Sequence, residues 1–391
     1  MKYDFDKVIE RDNTNSVKWN FREKLFGSAD VLPMWVADMD FRAPQPVIDA
    51  LVQRASHGIY GYSEGAEEYY EALEGWMRQR HGWEIEREWV VFTPGIVPAL
   101  NWLLAAITRP GDKVALQSPV YPPFFGAISN NGCETADNPL KFEDGEYRMD
   151  FADLEVKLAG GVKALLLCSP HNPVGRVWQE EEIRRLGELC LRYGVTVISD
   201  EIHSDLVYPG YNHRVFASLS PELARNCVVC TAPSKTFNLA GLQVSNLIIP
   251  NPELRKALKG VLARSSVRHP NSFGIVAMQA AYRHGAEWLD QLMLYLHGNL
   301  DFLTAFLAEK IPEVKLARPE GTYLAWLDFR QLGMNSSELQ SFLIKQAKLA
   351  LNDGAAFGPG GEGFARMNIA CPRSILAEGL QRLERAVREL G

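Results

Sequence analysis

Short apolar runs at 89–92, 114–116, 162–168, 195–198 and 228–230 are strand-like, and the stretches between them carry apolar residues at helical spacing. The stretch 180–193 is an example, with apolar Ile183, Leu186, Leu189 and Cys190; 47–56 is another. Alternation of the two patterns, continuing to about residue 283, predicts an α/β unit: a mostly parallel sheet covered by helices. After a long helical region at 272–310 the pattern changes to short strands at 314–317, 323–328 and 366–370 with a helix at 336–348, which reads as a smaller α+β domain. Residues 1–45 look irregular, with Pro33, Pro44 and Pro46 marking turns. A chain of 391 residues exceeds what one hydrophobic core usually serves, so two domains are expected.

Each of the five strand-like runs ends in a polar motif. In chain order these are Thr93-Pro-Gly95, Ser118-Pro-Val-Tyr121, Ser169-Pro-His-Asn-Pro-Val-Gly175, Ser199-Asp-Glu-Ile-His203 and Thr231-Ala-Pro-Ser-Lys-Thr-Phe-Asn-Leu-Ala-Gly241. Ligands of open α/β sheets bind outside the carboxyl ends of the strands, so the five motifs are expected to converge on one pocket. The set fits pyridoxal phosphate. Lys235 offers a Schiff-base amine, and Asp200, costly to bury unpaired, is a partner for a pyridinium nitrogen. The turn Gly95-Ile-Val-Pro98 offers backbone N–H groups of a helix start to a phosphate, with Pro98 suited to the first turn. Tyr121 offers a ring to stack on the pyridine, and Asn172 a donor to its phenolate oxygen.

With these motifs the chain resembles the fold-type-I pyridoxal phosphate enzymes, the aspartate aminotransferase superfamily, over nearly its whole length. The resemblance narrows to the MalY and PatB type of cystathionine (cysteine-S-conjugate) β-lyase. It is carried by Pro33-Met-Trp-Val-Ala-Asp-Met-Asp-Phe41, Gly61-Tyr-Ser63, Asp200-Glu-Ile-His203, Ala232-Pro-Ser-Lys-Thr-Phe-Asn238, Glu320-Gly-Thr-Tyr323 and Arg366-Met-Asn-Ile-Ala-Cys-Pro-Arg373. It implies a large cofactor-binding domain over 46–285 and a small domain made of 1–45 and 286–391. It implies catalytic roles for Lys235, Asp200 and Tyr121, and a cofactor shell of Gly95, Ile96, Val97, Tyr121, Asn172, Asp200, His203, Ser234 and Lys235. Arg366 is implied as the clamp for the substrate carboxylate, since a guanidinium fork matches a carboxylate bidentately; Arg373, in the same motif, is read as structural. Tyr62, with Tyr60 as the competing candidate, is implied to reach the phosphate of a neighbouring subunit, which requires a homodimer with shared sites.

The chain departs from the aminotransferase pattern at Gln243, where many members place an arginine against the phosphate, and at Ala232, where they often have serine. His203 stands where many aminotransferases carry tyrosine. These departures point to the lyase branch, and so to α,β-elimination from a cysteine thioether; transamination, or a regulatory role through a protein partner, is the alternative. Trp35 to Asp40 and Tyr323 are candidate walls for the thioether.

Bulk properties narrow the rest. The net charge of −7 argues against nucleic acid as the main partner. No run approaches the roughly 18 consecutive apolar residues of a membrane span, and the charged start Met1-Lys-Tyr-Asp lacks an apolar signal region, so a cytoplasmic protein is expected. The pair Cys227-Val-Val-Cys230 has the spacing of a metal half-site, but it lies inside an apolar run with no second pair following, and is read as core packing. No metal site is expected. The loop Gly358-Pro-Gly-Gly-Glu-Gly363 lacks a following Lys-Ser/Thr and is read as a turn beside the site rather than a phosphate cradle.

Overall fold

The computed structural model describes residues 3–267 and 269–390. Its largest sheet has seven strands in the spatial order Val90–Thr93, Ser245–Ile248, Cys227–Thr231, Thr196–Asp200, Val162–Cys168, Lys113–Leu116 and Glu134–Asp137. The last five run parallel. Ser245–Ile248 is antiparallel to both of its neighbours, which leaves Val90–Thr93 pointing the same way as the parallel five. The motifs that come after Thr93, Leu116, Cys168, Asp200 and Thr231 therefore all emerge at one edge of the sheet.

The apolar runs are unbroken because both faces of the sheet are covered. Side chains of successive strand residues point to opposite faces, and each run divides accordingly between two cores. Leu165, Leu167, Val197, Cys227 and Val229 enter one; Ala164, Leu166, Cys168, Ile198, Val228 and Cys230 enter the other. Cys227 and Cys230 thus lie on opposite faces, fully buried and free, where they pack and cannot chelate one ion.

Helix Glu180–Tyr193 matches its expected bounds. Glu182 accepts the Gln179 N–H at 2.9 Å, three glutamates occupy its first turn, and Gly194 closes it in the left-handed conformation. The predicted long helix at 272–310 is instead two, Ser272–His284 and Ala286–Lys310. At the junction Gly285 abuts Phe237, whose ring edge would lie 2.4 Å from a Cβ there, so the helix can bend over the core only with glycine at that position.

A second sheet holds Lys315–Ala317, Leu324–Asp328, Phe364–Asn368 and Asn352–Asp353, all antiparallel. The chain start packs beside it: Leu32–Pro33 pairs in parallel with Leu349–Ala350. The stretch read as irregular also contains two short helices, Val17–Asn20 and Arg22–Phe26. Segment 36–41 then bonds to Asn368, in this second sheet, and to Asn238, which follows the strand Cys227–Thr231 of the large one. The glycine loop at 358–363 is a turn, as expected; Gly354 and Gly361 cross so closely that a Cβ on Gly361 would meet the Gly354 carbonyl at 2.0 Å.

Candidate active site

The common edge of the large sheet closes around a cavity of about 190 Å³ whose walls include Gly95, Ile96, Val97, Tyr121, Asn172, Asp200, His203, Ser234 and Lys235. Nine predicted residues from four separate strand ends and a helix start are therefore brought together. Cys168, Ile202, Gln243, Val244 and Ala37 complete much of the wall. Gln243 enters because the reversed strand Ser245–Ile248 starts at this edge.

At one end stands the start of helix Ile96–Ile107, capped by Gly95. Among the described residues no side chain caps it, and no acidic residue sits in its first turn. Its first N–H groups and positive dipole end face the cavity, an arrangement that favours an anion. Pro98 lies in that first turn, where its missing N–H costs no bond.

Asp200, the last residue of its strand, is buried, and its Oδ1 accepts only the Ile202 N–H, at 3.2 Å, among the described residues. Burial pushes its carboxyl up to about 7, against the opposing pull of that N–H and of Lys235. His203 is buried too, and its Nδ1 has no partner among the described residues. Burial, with the nearby charges of Lys235 and Arg366, lowers its pKa to about 3, so the ring is neutral. Lys235 donates from Nζ to the Ala37 carbonyl at 2.7 Å. Burial and the Arg366 charge lower its pKa to about 8, against smaller upward effects of Asp38 and Asp200.

Arg366, in the middle of the strand Phe364–Asn368, is held by three acceptors: Asn172 Oδ1 at 2.8 Å, Asn352 Oδ1 at 2.6 Å and the Trp35 carbonyl at 3.2 Å. Its guanidinium lies over Phe357, and its buried Nε is left without a partner among the described residues. With Oδ1 committed to Arg366, Asn172 has its NH₂ donor to offer the cavity. Tyr323 donates its hydroxyl to the same Ala37 carbonyl at 3.0 Å and sets its ring edge-on to His203. Arg373 bonds Asn299 and lies over Phe302, away from the cavity.

Two contacts were not legible in the sequence. Asn352 sits in a two-residue strand with no periodic signature, and Ala37 acts through its backbone oxygen, which any residue would supply. Tyr62 does not reach the cavity of its own chain: its side chain is fully exposed and makes no hydrogen bond among the described residues. Tyr60, by contrast, donates its hydroxyl to Ala55 and packs against Phe273.

The donor set suits pyridoxal phosphate. A buried carboxylate short of a cation, a neutral histidine and an amide NH₂ short of acceptors, an uncapped helix start and a reactive amine are what the ring nitrogen, phenolate, phosphate and aldehyde of that molecule require.

Residues 29–383 match the family of class I and II aminotransferases. The chain is 48% identical to cystathionine beta-lyase PatB of Bacillus subtilis over 98% of its own length and 99% of that protein. It is 36% identical to protein MalY of Escherichia coli, covering 99% of each. Among solved structures it superposes on cystalysin from Treponema denticola, which contains pyridoxal 5′-phosphate, with a TM-score of 0.97 and 39% identity over the whole of both chains. The pyridoxal-phosphate-bound C–S lyase of Staphylococcus hominis gives a TM-score of 0.92 and 36% identity, covering 99% of this chain and 98% of that one. With its five strand-end motifs gathered on one cavity and these likenesses running end to end, the chain belongs to the class I and II aminotransferase family.

Proposed function

We propose that this protein is a pyridoxal-phosphate-dependent carbon–sulfur β-lyase, cleaving L-cystathionine and other cysteine thioethers to a thiol, pyruvate and ammonia. The observation that carries the reaction type is the 48% identity to a cystathionine β-lyase along nearly the whole chain. The under-satisfied polar groups of the cavity carry the chemistry.

Pyridoxal phosphate, when bound, supplies an aldehyde for amine condensation and a ring that accepts the electron pair left at the substrate Cα. Lys235 is the amine that holds it and, once free, the base that takes the Cα proton. A pKa near 8 leaves an appreciable neutral fraction at physiological pH. Asp200 would keep a proton on the ring nitrogen, and in doing so would gain the cation its burial lacks. Arg366 binds the substrate carboxylate, with Asn172 and Asn352 fixing its plane. Tyr121 would hold the ring by stacking, Asn172 and His203 would donate to its oxygen, and Ser234 with the Gly95 helix start would hold the phosphate. The Cα–H and Cβ–S bonds break, the sulfur leaves as thiol, and the 2-aminoacrylate released takes up water to give pyruvate and ammonia.

The site as proposed is completed in a homodimer. Support for this comes from Tyr62, which is exposed and makes no hydrogen bond among the described residues, and so is free to cross to a second subunit's phosphate, where Gln243 supplies no positive charge. A cytoplasmic setting agrees with six cysteines that are all free.

Incubation with L-cystathionine and no keto acid should release homocysteine and pyruvate in equal amounts. Products that appear only after an α-keto acid is added would make the protein an aminotransferase. For the dimer, Tyr62→Ala and Lys235→Ala subunits, each poorly active, should regain activity on mixing, because each hybrid has one intact site. No rescue despite proven subunit exchange would place the site within one chain.

A further inference from the structure

Segment 36–41 is tied down at nearly every carbonyl. Asn368 donates to Val36 O at 2.7 Å and Asp38 O at 2.6 Å. Asn238 donates to Met39 O at 2.9 Å and Phe41 O at 3.0 Å, and its Oδ1 accepts the Met39 N–H at 3.0 Å. Among these fixed points the Ala37 carbonyl is the one turned to Lys235.

Asn238 differs from the other anchors because it comes after Lys235 on the same turn, just past helix Pro233–Thr236. Its backbone is left-handed, φ +59°, a conformation asparagine tolerates better than most side chains. Its amide carries both an acceptor and two donors, so one side chain satisfies an N–H and two carbonyls. Aspartate has no such donors, and glutamine is a methylene longer. The lysine and its acceptor are thereby joined through one side chain on one short stretch of backbone.

We propose that Asn238 is a positioning residue for the Cα proton transfer: by clamping Met39 and Phe41 it fixes the Ala37 carbonyl as the acceptor that orients Lys235 Nζ. This rests on the reading of Lys235 as the proton-carrying amine. A free amine that gives one N–H to a fixed carbonyl has its lone pair confined to the remaining directions, and correct orientation of a base is worth orders of magnitude in rate. A neutral acceptor also suits the task better than a carboxylate, which would hold the amine protonated. The nearby Asp38 carboxylate is instead drawn away by Arg11, at 2.9 Å, and Lys18, at 3.7 Å. Asp40, beside it, is closed off by Lys18 and Arg11, each at 2.6 Å.

The test uses Asn238→Gly, which keeps the left-handed backbone and removes all three bonds, and Asn238→Asp, which keeps the acceptor and loses both donors. In the cofactor-free protein, amide hydrogen exchange read by mass spectrometry should be about tenfold faster or more in the peptide covering 36–41, the change expected for loss of roughly one net hydrogen bond. Unchanged exchange there overturns the clamp. In the loaded protein, exchange of the L-alanine Cα hydrogen with deuterated water isolates proton transfer, since alanine has no leaving group at Cβ. The maximal rate should fall about 10- to 100-fold in Asn238→Gly, with KM within about twofold, and fall less in Asn238→Asp. A loss confined to KM, or an unchanged rate, overturns the positioning role; should the glycine variant not fold, the same two outcomes in Asn238→Asp overturn it. A wild type that loads cofactor yet exchanges no Cα hydrogen would remove the reading of Lys235 itself, and this inference with it.

Discussion

Two polar clusters lie on either side of the strand end at Asp200, and their contrast locates the chemistry. Behind it, Glu201 is buried but complete: Ser199 donates to it at 2.8 Å, the Phe216 N–H at 2.9 Å, and His213 lies 2.8 Å away. Nearby Asp205 is shared by Thr236 at 2.7 Å, His81 at 3.0 Å and Trp76 at 3.1 Å. Burial alone would raise the Asp205 carboxyl, but His81 and Thr236 outweigh it and hold it below the usual range. In front, Asp200 has one backbone donor, and burial prevails. The same chain that fully satisfies Glu201 leaves its neighbour Asp200, His203 Nδ1 and Arg366 Nε short of partners. Since buried polar groups are nearly always paired, the deficits of Asp200 and His203, which both line the cavity, mark where a ligand completes the structure.

The sharpest way to break this contrast is Lys235→Ala. Activity should fall by about 10³-fold or more, given what a general base and nucleophile contribute. Borohydride reduction and peptide mapping should find the cofactor on Lys235 in the wild type and no adduct in the variant; an adduct on another lysine would refute the assignment.

The next comparison sets the two neighbours against each other. Asp200→Asn should retain cofactor but lower kcat by about 10²- to 10³-fold, because an amide no longer stabilises a protonated ring nitrogen. Glu201→Gln should leave kcat per folded molecule within about twofold and instead cost stability of roughly 1–3 kcal/mol, the usual penalty for unsettling a buried, bonded group. If Glu201→Gln cripples turnover at unchanged stability, the division between front and back is wrong. Arg366→Ala should act mainly through binding, raising KM by about 10- to 100-fold with a smaller drop in kcat.

The smallest effect is in pH dependence, read on the cofactor-free protein. Asp200 is raised from 3.8 to about 7, so between those values the folded state holds the extra proton, and stability falls as pH rises. Lys235 is lowered from 10.5 to about 8, so between about 8 and 10.5 the unfolded state holds the extra proton, and stability rises with pH. The two together place a minimum between about pH 7 and 8. His203, lowered from 6.5 to about 3, slopes the opposite way to Asp200 over its own range. The informative curve is therefore the difference in melting temperature between wild type and Asp200→Asn. That difference should favour the variant increasingly as pH rises toward about 7 and level off above. Added cofactor should diminish it, because the ring nitrogen gives Asp200 its partner. A flat difference curve would mean that the Asp200 carboxyl is not perturbed.

Five of the seven strands of the large sheet, and most of the cavity, were legible in the sequence; Glu134–Asp137 and Ser245–Ile248 were not. Strand and helix periods are local properties, so the runs ending at Phe92, Leu116, Cys168, Ile198 and Cys230 could be read directly, and parallel strands must deliver their trailing loops to one edge. Lys235, Asp200, Asn172, Tyr121 and Gly95 were legible because each is attached to such an end; Arg366 was legible through its motif. The remaining features arose only from long-range packing. It reversed Ser245–Ile248 and so brought Gln243 into the wall, broke the long helix at Gly285 against Phe237, and put Cys227 and Cys230 on opposite faces. It also joined Asn352 to Arg366 and turned the Ala37 carbonyl toward Lys235. These contacts link residues distant in sequence, and some run through backbone atoms that every residue shares. Such pairings leave no period and no composition to read, and only the folded chain, bringing both partners within hydrogen-bond distance, specifies them.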